Sequence, residues 1–188
     1  MKRAKKVIKK VKEGGSKILF KPIGEIVSLK VYTDASHANL PDGKSSACGY
    51  VIILQGTLGE RILDWSSTKI QRVVSSTLEA EALALKEGLN DAIYLGCLLT
   101  EFFYNDFNTN RIKIEAFIDN EPTERSIRST KQVGEKRLRI DIGEIQRLIE
   151  EKEVSDVKWI SKKKQLADGL TKRDVDMDAL LHLLSDAR

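Results

Sequence analysis

From residue 29 onward the spacing of apolar positions changes segment by segment. LKVYTD, SACGYVIIL and ERILDWSS are rich in β-branched and aromatic residues and predict three strands, with turn signals at PDGK (41–44) and QGTLG (55–59) between them. Short turns of this kind predict an antiparallel meander. In the next segment, STLEAEALALKEGLNDAIYLGCLLTEFF, the period shifts to that of a helix. Leu78, Ala82, Leu85, Leu89 and Ile93 form one stripe, and Ser76 or Thr77 can cap the start. RIKIEAFID (111–119) predicts a fourth strand, and NEPTERSIRS a short helix with Pro122 in its first turn. A helix over roughly 135–153 carries Leu138, Ile142, Ile145 and Ile149 on one side. VSDVKWIS (154–161) is the fifth strand, and QLADGLTK opens a last helical region ending near Leu184. Strands that alternate with helices after a meander require an α/β architecture, a mixed sheet covered by helices.

Ahead of this body, KRAKKVIKKVKEGG predicts a short basic helix with Ala4, Val7, Ile8 and Val11 on one stripe and a Gly pair stopping it. Such a segment suits an arm for phosphates or acidic lipid, or the last helix of a preceding domain. The second reading is favoured because the stripe has no partner within so short a segment. Residues 1–27 are therefore taken as a basic helix and linker, and 28–188 as the main domain.

The 188 residues, 41% hydrophobic and 32% charged, suit one globular domain with an appendage. No apolar run approaches the roughly 20 residues of a membrane helix, and the N-terminus lacks the apolar region of a secretory signal, so no membrane association and an intracellular location are expected. Cys48 and Cys97 stand outside any CxxC pattern and away from His, which argues against a zinc site or disulfide framework and for buried small hydrophobes. The net charge of +4 is local: residues 1–13 hold seven Lys or Arg and one Glu. The remainder, with 25 basic and 27 acidic side chains, is slightly negative. Nucleic-acid affinity of the main body must then come from patches or bound cations.

Four acids stand out by position. Asp34 ends the first strand and Asp119 the fourth, Glu81 lies in the first turns of the long helix, and Asp168 opens the final helical region. If strands one and four are neighbours, their ends converge, as ligand sites on such sheets do. Four converging carboxylates require cations, and all-oxygen ligands favour Mg²⁺ or Mn²⁺ over zinc. Glu79 competes with Glu81 for the helix position. At 100° per residue Glu81 falls about 60° from the stripe centre and Glu79 about 100°, which favours Glu81. Trp65 and Trp159 lie in strands and are expected in the core; His37 is expected to be a loop residue.

YTDAS, SSTLEAEALAL, IDNEPT and QLADGLTK resemble, in order, the four active-site blocks of the ribonuclease H domain of copia-type LTR retrotransposons, which are similar to YTDAD, SSTEAEYIAL, CDNQSA and QLADILTK. WSSTKIQRVVSS is similar to the family's stretch before the long helix, and the resemblance runs from about residue 30 to 172. It implies a ribonuclease H-like fold, with a five-stranded sheet of three antiparallel strands followed by parallel ones. It also implies that residues 1–27 are the tail of the reverse transcriptase that precedes this domain in one polyprotein. Carried over block by block, Asp34, Glu81, Asp119 and Asp168 match the family's metal-binding acids. The implied activity is two-metal hydrolysis of the RNA strand of an RNA–DNA hybrid, with Mg²⁺ as cofactor and Mn²⁺ able to substitute. Asp34 would bridge two ions, Glu81 and Asp119 would hold one of them, and Asp168 the other. The implied setting is cytoplasmic, including virus-like particles.

Two departures matter. Leu78 sits between SST and EAE, so the downstream E-x-x-A-L spacing is what assigns Glu81. RLRIDI places Arg139 where the family carries a His, in a stretch similar to TKHIDI; Arg139 can contact a phosphate but cannot act as a base. Further candidates for contact with the hybrid are Lys69, Arg72, Asn120, Arg125, Arg128, Lys131 and Lys162 to Lys164. A catalytically weak or inactive tether on the same fold is the competing reading, kept open by the missing His. A transposase or integrase would need its Glu on a late helix.

Overall fold

The structure, a computed structural model, describes residues 21–40, 42–106, 111–130, 134–172, 175 and 177–185. The basic segment 1–13 and Lys131 lie outside these residues. Strands β1 (Ile26–Ser36), β2 (Ala47–Gly56) and β3 (Gly59–Lys69) form the expected antiparallel meander. Helix α1 (Thr77–Tyr104) leads to β4 (Lys113–Ile118), then α2 (Glu121–Arg128), α3 (Lys136–Glu150), β5 (Asp156–Trp159), α4 (Asp168–Thr171) and α5 (Asp178–Ser185). The sheet has five strands in the order β3-β2-β1-β4-β5, with β4 parallel to β1 and β5 parallel to β4. This is the mixed sheet that the strand and helix order required.

The uninterrupted apolar run of β2 is explained by burial on both faces, since alternate residues of a strand point to opposite sides. Tyr50, Ile52 and Leu54 join Leu29, Val31, Leu85 and Leu89 in the core beneath α1, which continues to Ile142 and Ile145 of α3. Val51 and Ile53 face the other way and pack with Ile62, Ala167 and Leu180 under α4 and α5. Helix α1 lies very close to the sheet at Gly88, where a Cβ would come within 2.8 Å of the Thr33 methyl. That approach sets the height of the helix's N-terminal turns above β1. Ser76 caps α1 as expected, its side chain accepting the Glu79 amide at 3.1 Å.

The structure departs from the sequence reading in three places. Strand β1 starts at Ile26 and runs to Ser36, so Asp34 pairs with Gly49 within the strand instead of ending it. What ends near Asp34 is the pairing with β4, whose last partners are Tyr32 and Phe117. The single last helical region is two short helices, because Lys172 turns to extended backbone (φ −117°, ψ 153°) after α4. Trp65 and Trp159 are not core residues but 52% and 50% exposed, since both lie on strands at the edges of the sheet. Among the described residues no helix is long and apolar enough to cross a membrane.

Candidate active site

Beyond the Tyr32 and Phe117 pair, β1 and β4 separate, and the two freed backbones need partners. Gln165, buried in the gap, supplies them: its Nε2 donates to the Thr33 carbonyl at 2.9 Å and to the Phe117 carbonyl at 3.4 Å. Its Oε1 accepts the Ala167 amide at 3.2 Å, which fixes the turn leading into Asp168. The same turn is drawn down onto β2 at Gly49. A Cβ there would lie 2.9 Å from the Leu170 Cβ and 3.0 Å from the Thr171 methyl.

Asp34, just past the end of the β1–β4 pairing, Asp119, the residue after β4, and Asp168, the first residue of α4, thereby converge. Their carboxylate oxygens lie within 4.8 Å of one another. Asp34 is completely buried and Asp168 nearly so. Glu81 comes down from α1 beside them. It is 4% exposed, and its Oε2 is buried with no hydrogen-bond partner. Burial, reinforced by the charges of Asp34 and Asp119, pushes the Glu81 carboxyl up to about 9. Burial also raises Asp34, against hydrogen bonds from Thr171 and Lys172, and raises Asp119.

Glu79, the alternative on the same helix, is buried but faces elsewhere. It accepts the Ser75 amide at 2.6 Å and the Ser75 hydroxyl at 3.1 Å, and lies 3.5 Å from Arg72. The offset between the two glutamates on α1 therefore separates a helix-start acid from one that lies near Asp34 and Asp119, outside the group of three aspartates whose oxygens meet within 4.8 Å.

Three residues of this site went unread in the sequence. The Thr171 hydroxyl donates to Asp34 Oδ2. Lys172 Nζ lies 2.9 Å from Asp34 Oδ1 and 2.5 Å from Asp168 Oδ1. Burial works against the Lys172 ammonium, but the hydrogen bonds to Asp168 and Asp34 outweigh it and hold the pKa above the usual lysine value. Gln165 is the third. A signal existed for the first two: they stand three and four residues after Asp168, one helical turn on.

The expected hybrid-contacting residues are dispersed. Lys164 is exposed on the 3-10 turn Lys162–Lys164 that precedes Asp168. Asn120 caps α2, its Oδ1 accepting the Thr123 amide at 2.9 Å. Arg125 is exposed and pairs with Glu121 at 2.5 Å. Arg128 pairs with Glu124 and with Asp156 at 3.2 Å, and donates to the Val157 carbonyl at 2.9 Å. Lys69 pairs with Asp42 at 3.3 Å. Arg139 is exposed on α3. Arg72 is turned inward, bonding the buried Asp141, which also takes Lys86 at 3.2 Å. His37 is in the turn after β1, its Nε2 3.2 Å from the Val74 carbonyl. Cys48 is buried, with Sγ 3.0 Å from Glu87 Oε2, and burial pushes its thiol up to about 11; Cys97 is half-buried.

The donor set is all carboxylate oxygen, clustered and largely buried, with one Glu81 oxygen unpartnered, which fits a hard divalent cation such as Mg²⁺ or Mn²⁺. No family model matches the chain, and no curated protein does. Solved structures do. The N-terminal ribonuclease H domain of Rv2228c from Mycobacterium tuberculosis superposes with a TM-score of 0.56, covering 83% of this chain and 97% of that one at 19% identity. The chain has a ribonuclease H-like fold. LC11-RNase H1, isolated from compost by a metagenomic approach, gives a TM-score of 0.54 at 22% identity, over 82% of this chain and 98% of that one. The prototype foamy virus protease–reverse transcriptase gives 0.51 at 14% identity, over 83% of this chain and 22% of that much longer one. At these identities the likeness is one of fold, and the function has to be argued from the site.

Proposed function

We propose that this protein is a metal-dependent endonuclease that hydrolyses the RNA strand of RNA–DNA hybrids, the ribonuclease H domain of a copia-type retrotransposon polyprotein. The observation that carries the reading is the convergence of Asp34, Asp119 and Asp168 within 4.8 Å, with the unpartnered Glu81 oxygen beside them. A fold of this kind has no structural need for four acids in one place. Support for the substrate comes from a solved structure of LC11-RNase H1 in complex with an RNA/DNA hybrid.

Asp34, Glu81, Asp119 and Asp168 would together hold two Mg²⁺ ions, with Mn²⁺ able to substitute. Bound there, the ions supply Lewis acidity at the scissile phosphate and a water of lowered pKa. The chain's own part is positioning. Gln165 holds β1 and β4 apart at the required spacing, and Thr171 keeps Asp34 Oδ2 in orientation. Asn120 next to Asp119, and Lys162 to Lys164 shortly before Asp168, would present donors to the hybrid's backbone, with Lys69, Arg125 and Arg139 as further contacts. Arg72 is withdrawn from that role because Asp141 and Glu79 hold it. Selection of RNA rests on 2′-hydroxyls across a wide minor groove, not on base sequence.

The setting is reverse transcription in the cytoplasm, within virus-like particles, beside a polymerase domain of the same polyprotein to which residues 1–27 connect. The tether reading is favoured by one feature, Arg139 in place of a His. A panel of hybrid, duplex DNA, duplex RNA and single-stranded RNA in Mg²⁺ separates the two: the nuclease cuts only the RNA of the hybrid, whereas a tether binds hybrid and cuts nothing.

A further inference from the structure

We infer that Lys172 is a resident counter-cation: its ammonium holds Asp34 and Asp168 together when no divalent cation is bound and must leave for one to bind. The inference rests on the metal site proposed above and concerns how that site is filled. Lys172 Nζ lies 2.9 Å from Asp34 Oδ1 and 2.5 Å from Asp168 Oδ1, so it contacts oxygens from two of the three acids that cluster within 4.8 Å. A divalent cation binds such oxygens at about 2.0–2.6 Å. Two positive charges cannot share that space in a buried site, where their repulsion is poorly screened. Occupancy by the ammonium and by the metal is therefore mutually exclusive.

The local structure suits departure. Lys172 follows α4 in extended backbone and its side chain is 25% exposed, so the ammonium can swing to solvent with the helix left in place. Thr171 meanwhile bonds the other oxygen of Asp34, so the carboxylate keeps its orientation when Lys172 leaves. Neutralisation and orientation are thus divided between adjacent residues. Functionally, the domain folds without metal, and its apparent metal affinity is lowered by the fraction of time Lys172 occupies the acids.

The test measures Mn²⁺ binding by electron paramagnetic resonance at one pH for the parent, Lys172→Met, Lys172→Arg and Asp34→Asn proteins. If Lys172 holds the site about nine-tenths of the time, Lys172→Met binds Mn²⁺ about tenfold more tightly. Lys172→Arg, which keeps the charge, stays near the parent. Because Lys172→Met leaves the acids uncompensated and can fail to fold in EDTA, a second readout uses the parent alone. Acetylation of Lys172 by an amine-reactive ester, read by mass spectrometry, is slow in EDTA and several-fold faster with saturating Mn²⁺. Equal or weaker Mn²⁺ binding by Lys172→Met, or a Lys172 as protected with Mn²⁺ as without it, overturns the inference while leaving the metal site intact. Unchanged Mn²⁺ binding by Asp34→Asn identifies the other failure, that of the metal site itself, and the counter-cation role falls with it.

Discussion

Replacing Glu81 by Gln should make the metal-free protein more stable while abolishing the proposed nuclease activity. Glu81 titrates near 4.5 in the unfolded chain and is pushed up to about 9 in the fold by burial and by Asp34 and Asp119. Between these values the folded protein binds a proton that the unfolded chain does not, so stability falls as pH rises through the window. The loss is absent below about pH 4.5, grows by about 1.4 kcal/mol per pH unit and levels off near pH 9. At pH 7 it reaches at most about 3.5 kcal/mol, and Gln, neutral throughout and of the same shape, escapes it. Urea unfolding in EDTA at pH 5, 7 and 8.5 reads this directly: Glu81→Gln should lie within about 1 kcal/mol of the parent at pH 5 and exceed it increasingly above. Saturating Mg²⁺ should then stabilise the parent far more than the variant, since binding to the folded state alone adds stability. Glu79→Gln should behave oppositely and lose stability, because Glu79 accepts two hydrogen bonds from Ser75. A Glu81→Gln protein equal to or less stable than the parent at pH 8.5 would refute the placement of Glu81 as an uncompensated buried acid.

Two further substitutions probe the supports of the site. Gly49→Ala drives a methyl into Leu170 and Thr171 and should cost about 1–3 kcal/mol in denaturant unfolding, with a larger proportional fall in hybrid cleavage as Asp168 moves off Asp34. Arg72→Ala should cost roughly 2–3 kcal/mol, less than for a fully buried pair because Lys86 still faces Asp141, and should leave hybrid affinity in a filter-binding assay within about twofold of the parent.

The element order was legible because each segment carries its own period. The difference between Glu79 and Glu81 was also legible, since a two-residue offset on a helix changes the face presented: Glu79 turns to Ser75, and Glu81 lies close enough to Asp34 and Asp119 to feel their charges. What the sequence hid depends on partners far along the chain. The helix after QLAD stops at Thr171 where Thr171 and Lys172 bond Asp34, more than 130 residues away, and local propensity carries no trace of that. Arg72 read as a candidate phosphate contact because Asp141, its partner on α3, is polar in sequence and buried only in three dimensions. Gln165 drew no attention at the start of the last helical region because the gap between β1 and β4 that it fills exists only in the assembled sheet. Trp65 and Trp159 were misread for a related reason: strand membership was visible, but edge position was not.

Cleavage of an end-labelled RNA–DNA hybrid in Mg²⁺ or Mn²⁺ tests the central claim most directly, with Asp34→Asn, Glu81→Gln and Glu79→Gln proteins and an EDTA control alongside. The account predicts cutting of the RNA strand alone, abolished by EDTA, by Asp34→Asn and by Glu81→Gln, and retained by Glu79→Gln. Hybrid bound but left uncut by the parent, or cutting that survives Asp34→Asn, would contradict it.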